Sequence, residues 1–247
     1  MKFGVADYGL SVYEGGSYDL EDRLQKLKAI GYQGLEHCPA ISASQALHNA
    51  ARFRRLGMGF ATCSAPSPMA AMEWTAALGK EYVWVSSRSK DFDVFCRHID
   101  VQLAACRRWG IRGALHNHLG TQVESQKQLE TFLDRCPDSG LILDTAHLAA
   151  AGGNCVAIVN KYAGRLAAVH LKDWLITNPG APADRLAERG RFCELGAGNA
   201  GLDNLAVMAA LKASGYDGWI FVEQDVHLRD PFQDLAASRA YLRNAGY

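Results

Sequence analysis

Short apolar runs alternate along this chain with longer stretches in which apolar residues recur every three or four positions, the patterns of buried strands and amphipathic helices. Lys2 to Asp7 reads as the first strand, and Asp19 caps a helix that carries Leu20, Leu24 and Leu27 on one face before Gly31 stops it. Gln33 to His37 reads as the second strand. Ser42 to Leu56 is a predicted helix with Ala46, Phe53 and Leu56 at helical spacing, ended by Gly57 before the strand Met58 to Cys63. Pro66 to Leu78, closed by Gly79, is the third helix, and Glu81 to Ser86 alternates in and out as a strand. A helix from Asp91 to Trp109, the strand Arg112 to His116 and a helix opened by a Ser125/Gln128 capping box come next.

The pattern is sharpest at Leu141 to His147, LILDTAH, where apolar residues carry a buried strand to Asp144, with a histidine three positions on. Ala149 to Tyr162 is predicted as helix, weakened by Gly152 and Gly153, and Leu166 to Leu171 as the seventh strand. Lys172 to Ala200 holds Pro179, Pro182 and several glycines; a connection this long in a compact domain is usually functional, and it reads as a lid. Asp203 then caps a helix with Leu205, Met208 and Leu211, Trp219 to Glu223 is the eighth strand, and Asp230 with Pro231 starts the last helix. Eight strands alternating with helices, without a linker-like shift in composition, predict one α/β domain over residues 1–247, a (β/α)8 TIM barrel. A doubly wound open sheet is the alternative.

The barrel makes a demand on the polar residues, because its active sites sit where strands end. Glu36 and His37 end the second strand, His116 and His118 the fifth, Asp144 the sixth, His170 the seventh and Glu223 the eighth. Any one of these alone is as readily a loop cap as a site residue. Together they suggest a metal site: two carboxylates and an imidazole from Asp144, His170 and Glu223 suit one divalent ion of Mn, Co, Fe or Zn better than Ca, and Mg less often takes histidine.

Composition narrows the substrate more than the fold. Lys+Arg and Asp+Glu both total 26, so no overall field draws the chain to nucleic acid or to an anionic membrane, and small or neutral substrates fit better. The seven cysteines are odd in number and scattered, with no C-x-x-C pair, which reads as reduced thiols. Met1 to Asp7 lacks the basic and apolar regions of a signal peptide, and no apolar run approaches a membrane span. The expected location is the cytoplasm.

HNH at His116 to His118, LDTAH at Leu143 to His147, HLKD at His170 to Asp173, LGAG at Leu195 to Gly198, FVE at Phe221 to Glu223 and GYQGLE at Gly31 to Glu36 resemble the sugar phosphate isomerase/epimerase superfamily, the xylose-isomerase-like barrels. The resemblance implies one divalent metal held by Glu, Asp, His and Glu, with the glutamates doubling as acid and base in sugar epimerases. Asp144, His170 and Glu223 match three of those positions. The fifth strand departs, because the family's Glu-Asn-His is here His116, Asn117, His118. Three residues compete as the fourth ligand: His116 at the matching position, His118 two residues on, and Glu124 if its carboxylate folds back. His116 is favoured and Glu124 is second. HNHLGTQVE also resembles inosose dehydratases, lyases of inositol catabolism, which moves the expected reaction toward elimination.

The expected activity is a metal-dependent sugar or keto-polyol isomerase/epimerase or dehydratase, acting by proton abstraction next to a carbonyl through an enediolate. Glu223 or His118 would serve as base, Lys172 would stabilise the developing enolate, and Glu36, Glu124 and His147 would contact substrate. Arg185, Arg189 and Arg191 in the lid could clamp an anionic substrate, and Trp174, Trp219 and Tyr8 could line the pocket. The partner is a small sugar or keto-polyol, with no nucleic acid or membrane; homo-oligomerisation is left open. A metal-free sugar-binding or regulatory protein on the same barrel is the alternative, and an apurinic-site endonuclease a more distant one.

Overall fold

In the computed structural model, which describes residues 1–182 and 185–247 and only the backbone of 186 and 187, the strand pattern becomes β1 (Lys2–Val5), β2 (Gly34–Pro39), β3 (Gly59–Ser64), β4 (Tyr82–Val85), β5 (Arg112–His116), β6 (Gly140–Asp144), β7 (Leu166–Leu171), β8 (Asp173–Ile176), β9 (Gly190–Cys193) and β10 (Trp219–Val222). Eight of these form one parallel sheet in the order β3-β2-β1-β10-β7-β6-β5-β4, which curls into a nearly closed barrel with its seam between β3 and β4. The fold is the expected TIM barrel. The helices that follow the strands start where the sequence places caps. The side chains of Asp19, Ser42, Ser67, Asp91, Ser125 and Asp203 each accept a bond from an N–H in the first turn of their helix, satisfying groups the helix itself leaves unpaired.

Period-two alternation gives the barrel two cores. Leu115, Leu143, Val169 and Val222 belong to the large cluster packed against the helices, whereas Ala114, Ile142, Ala168 and Phe221 belong to a small one with Ala6, Ala61 and Tyr82. Two residues after a member of the small cluster, each strand delivers a polar group to the same side: His116 after Ala114, Asp144 after Ile142, His170 after Ala168 and Glu223 after Phe221. The alanines keep the interior narrow, and the larger polar groups gather above it.

Three elements differ from the sequence-based expectation. Tyr8–Tyr13 forms a short helix, α1, directly after β1, in a stretch too brief to show a helical period. The predicted helix over 149–162 is two helices, here called α7 (Thr145–Ala150) and α8 (Cys155–Tyr162) after α2 to α6 at Leu20–Ile30, Ala43–Arg55, Pro68–Ala77, Phe92–Arg108 and Gln126–Arg135. Gly152, at φ +77°, ends the first, and Asn154 caps the second. The predicted lid over 172–200 contains an antiparallel hairpin, β8 against β9, with the short helix α9 (Leu186–Arg189) between them; its residues 183 and 184 lie outside the described ones. The chain then continues through α10 (Asn204–Ala213), β10 and α11 (Pro231–Asn244). Among the described residues no helix is long and apolar enough to cross a membrane, and all seven cysteines are buried free thiols.

Candidate metal centre

His116 ends β5, Asp144 ends β6, His170 lies near the end of β7, and Glu223 follows β10 directly. Each offers one donor atom, and the four donors lie within 4.8 Å of one another. His116 and Glu223 line a cavity of about 440 Å³ at the C-terminal end of the barrel together with Lys172, Glu36, His37 and Trp84, and Asp144 and His170 are fully buried beside them.

Local structure explains why these side chains converge. Asp144 Oδ1 caps α7 by accepting from the His147 N–H at 2.9 Å, which leaves Oδ2 facing the cluster. The Asn117 amide brackets the same aspartate, accepting from its N–H at 2.9 Å and donating to its carbonyl at 3.1 Å. The middle residue of HNH therefore holds the backbone of the neighbouring strand. The threonine of LDTAH has a similar use, since Thr145 Oγ1 accepts from the Lys172 N–H at 3.1 Å while Asn204 Nδ2 donates to the Lys172 carbonyl at 2.8 Å. In HLKD, Asp173 accepts from the N–H groups of Trp174 and Gly196 at 2.9 Å each, tying the LGAG loop to the end of β7.

The donors fit a metal on their own terms. Asp144 Oδ2 and His116 Nε2 are buried without a hydrogen-bond partner, 3.4 Å apart, and buried polar atoms are rarely left in that condition. Two imidazoles and two carboxylates are a donor set for Zn, Fe, Co or Mn. Asp144, His170, Glu223 and Lys172 form one charge network. Lys172, 1% exposed, places Nζ 3.3 Å from Asp144, 3.2 Å from Glu223 and 2.9 Å from Asp225. Burial disfavours its ammonium, but those three carboxylates outweigh burial and hold it above its usual range. Asp144 is likewise pushed up by burial and brought well below the carboxylate range by Lys172, His147 and His116. Between two carboxylates, His170 stays protonated well above its ordinary 6.5 in spite of burial, with Nδ1 2.7 Å from Glu223 and Nε2 3.0 Å from Glu36. His116 is lowered, chiefly by burial.

The remaining sequence candidates fall in and around this cluster. His147 is buried, lowered to about 3 by burial against the pull of Asp144, and accepts from Lys172 through Nε2 at 3.2 Å, while its Nδ1 has no partner. His118 is exposed at the cavity, and its ring lies 3.8 Å from that of His147. Glu36 is fully buried in the wall. Glu124 stands apart, its carboxylate accepting from the Gly120 N–H at 2.5 Å, and it is not among the four donors. The lid arginines bond along the hairpin: Arg185 to Glu188, Arg189 to the Ala181 carbonyl and Arg191 to the Phe192 carbonyl. Tyr8 lines the cavity, Trp174 packs edge-on to Phe192, and Trp219 stacks on Phe221 below the site.

Several contributors carry no sequence signal. Asp225 belongs to a loop rather than a strand end, Trp84 stacks on His116 at 4.7 Å, and Phe192 on β9 meets both the His147 ring at 5.3 Å and the Lys172 ammonium at 4.7 Å. Trp84, two residues after Tyr82 on β4, shares its inward side, but its partner across the barrel has no mark in the sequence.

A family model described as the xylose isomerase-like TIM barrel matches residues 24–245. The chain belongs to that family. An inosose dehydratase of Clostridium beijerinckii is 31% identical over 151 residues, 54% of this chain and 48% of that protein. The chain therefore aligns with about half the length of the curated relatives it matches. Among solved members of the fold, the IolI protein crystallised with a bound zinc is 17% identical, with a TM-score of 0.71 over 100% of this chain and 96% of that one. The probable 3-DHS dehydratase AsbF of Bacillus anthracis is 13% identical, with a TM-score of 0.74 over 99% of both chains. At these identities the two structures speak to the fold.

Proposed function

We propose that this chain removes a proton from the carbon beside a carbonyl of a sugar or keto-polyol, with a divalent ion held by His116, Asp144, His170 and Glu223, and that elimination of a β-hydroxyl is the favoured outcome. The observation that carries the reading is the convergence of the four donors within 4.8 Å, two of which, His116 and Glu223, line a cavity of about 440 Å³, ample for a six-carbon ring. The relatives named inosose dehydratase and the zinc-bearing IolI barrel support it. The bound ion would supply Lewis acidity that lowers the pKa of the carbon acid.

The chain's own residues divide the remaining work. Glu223 lines the cavity and keeps its carboxyl ionised, because the charges of Lys172 and His170 outweigh the effect of burial; it is the base. Lys172, held cationic, faces the oxygen on which charge develops. His118, at the exposed edge of the cavity, returns a proton to the departing hydroxyl, so that water leaves as the new carbon–carbon double bond forms. With His116 in place of the family's first glutamate as a ligand, the acid His118 and the base Glu223 are unlike, which suits elimination better than a symmetric two-base epimerisation.

Incubation with inosose and keto-sugar panels in D₂O, with each candidate metal, tests the reading. Loss of a β-hydroxyl supports it. Deuterium at the α carbon with every hydroxyl retained would move the reaction to isomerisation or epimerisation, and absence of exchange with all substrates and metals would refute the shared proton abstraction.

A further inference from the structure

Glu36 is a buried acid that the proposed chemistry does not use. It projects from β2, is 0% exposed, and is held through one oxygen while the other faces His170. Oε1 accepts from the Tyr82 hydroxyl at 2.9 Å and from the Trp84 indole N–H at 2.8 Å, both on β4. Oε2 lies 3.0 Å from Nε2 of His170 as an ion pair, and neither atom has a hydrogen-bond partner. On the far side of the same ring, Nδ1 is 2.7 Å from Glu223. His170 is thus sandwiched between a carboxylate of the wall and a carboxylate of the donor cluster.

We infer that Glu36 is the positioning carboxylate of His170: clamped by Tyr82 and Trp84, it receives the Nε2–H of the imidazole, which turns the bare Nδ1 lone pair toward the metal beside Glu223. The argument is one of donors and acceptors. A neutral imidazole carries one N–H, and a metal ligand must present the other nitrogen without a proton. Both nitrogens of His170 face ionised carboxylates, and without an ion it is Nδ1 that hydrogen-bonds to Glu223; Glu223 is itself one of the four donors, so an ion bound beside it would take the Nδ1 lone pair and leave the hydrogen on the nitrogen facing Glu36. Two neutral donors fix Oε1, and the rest of the carboxylate cannot swing away without breaking both bonds. Burial makes the preference strong, since no water competes for either atom. The same indole that holds Glu36 stacks on His116 at 4.7 Å with 20° between the planes, so Trp84 steadies two of the four donors at once. On this reading Glu36 acts inside the wall and does not contact substrate.

The inference rests on the metal reading above, and its test separates the two. Zn²⁺ affinity is measured by competition with a chromophoric chelator, and the His170 tautomer of the zinc-loaded protein by long-range ¹H–¹⁵N NMR. Wild-type protein should bind Zn²⁺ with the His170 proton on Nε2. Glu36→Gln is nearly isosteric and lets its amide oxygen keep the Tyr82 and Trp84 bonds, but its NH₂ then faces Nε2 as a donor and drives the ring proton to Nδ1. Zn²⁺ affinity should fall about 10- to 100-fold, the usual cost of losing such a partner. Tyr82→Phe removes one of the two donors and should weaken binding by a smaller factor; melting in chelator reports whether each variant folds. Wild-type binding with the proton on Nδ1, or unchanged affinity in a folded Glu36→Gln, overturns this inference and leaves the metal site standing. Failure of the wild-type protein to bind Zn²⁺, Mn²⁺ or Co²⁺ overturns both.

Discussion

The ammonium of Lys172 lies 3.3 Å from Oδ2 of Asp144, one of the four converging donors, and backbone bonds to Thr145 and Asn204 keep it there. A lysine so placed would be a second cation in the proposed metal centre and would separate binding from turnover. Lys172→Met should leave divalent-metal binding intact while turnover falls about 10²- to 10³-fold, the usual effect of removing one stabilising donor from developing negative charge. Metal titration and single-turnover kinetics on the same sample check the pair of outcomes; equal turnover in the variant would remove Lys172 from the chemistry.

Protein purified without chelator should carry about one divalent ion per chain, lost in Asp144→Ala and in Glu223→Ala, because either change strips an anionic ligand from the site. Elemental analysis gives the count. His116→Gln should also lower occupancy. Glu124→Gln should not, since that carboxylate is occupied with Gly120 away from the cluster.

The pH dependence of stability in chelator follows from Glu36 and His170. Burial pushes the Glu36 carboxyl up from its ordinary 4.5, but the charges of His170 and His37 outweigh that and bring it to about 2. A lowered folded-state pKa contributes stability that is complete above 4.5 and is lost as pH falls toward 2. The raised pKa of His170 contributes stability complete below 6.5 and lost as pH rises toward its folded value. Thermal melts should therefore be highest between pH 4.5 and 6.5 and decline on both sides. With saturating Zn²⁺ the alkaline decline should shrink, because the metal displaces a proton from His170; a decline of equal depth with and without Zn²⁺ would contradict His170 as a ligand.

Gly198→Ala should loosen the hairpin over the site. A Cβ at this position would meet Asp173 Oδ1 at 1.9 Å, the oxygen that accepts from the Trp174 N–H at the root of β8. The expected cost is about 1–3 kcal/mol, with faster proteolysis between residues 173 and 200 than in the wild type. Substrate-analogue protection of the same stretch, if absent in both proteins, would count against its closing over the cavity.

Local order was legible in the sequence wherever neighbours along the chain decide it. Apolar runs and caps at Asp19, Ser125 and Asp203 placed strands and helices, and the ends of those runs placed His116, Asp144, His170 and Glu223 where the strands finish, because an apolar run stops at the residue where the buried strand does. Where the pattern misled, a glycine read as a weak point in a helix proved to be its end, as at Gly152, or order came from a distant partner, as when β9 pairs with β8 and turns a proline-bearing connection into a hairpin. What only the tertiary structure decided is which groups face one another across the barrel. Glu36 and Tyr82 are 46 residues apart, Thr145 and Asn204 are 59 apart, and Asp225 meets Lys172 from a loop with no pattern of its own. Those contacts depend on how far each strand is staggered past the next as the sheet closes. Stagger is set by the packing of whole side chains inside the barrel, and a two-residue period along one strand carries no record of it.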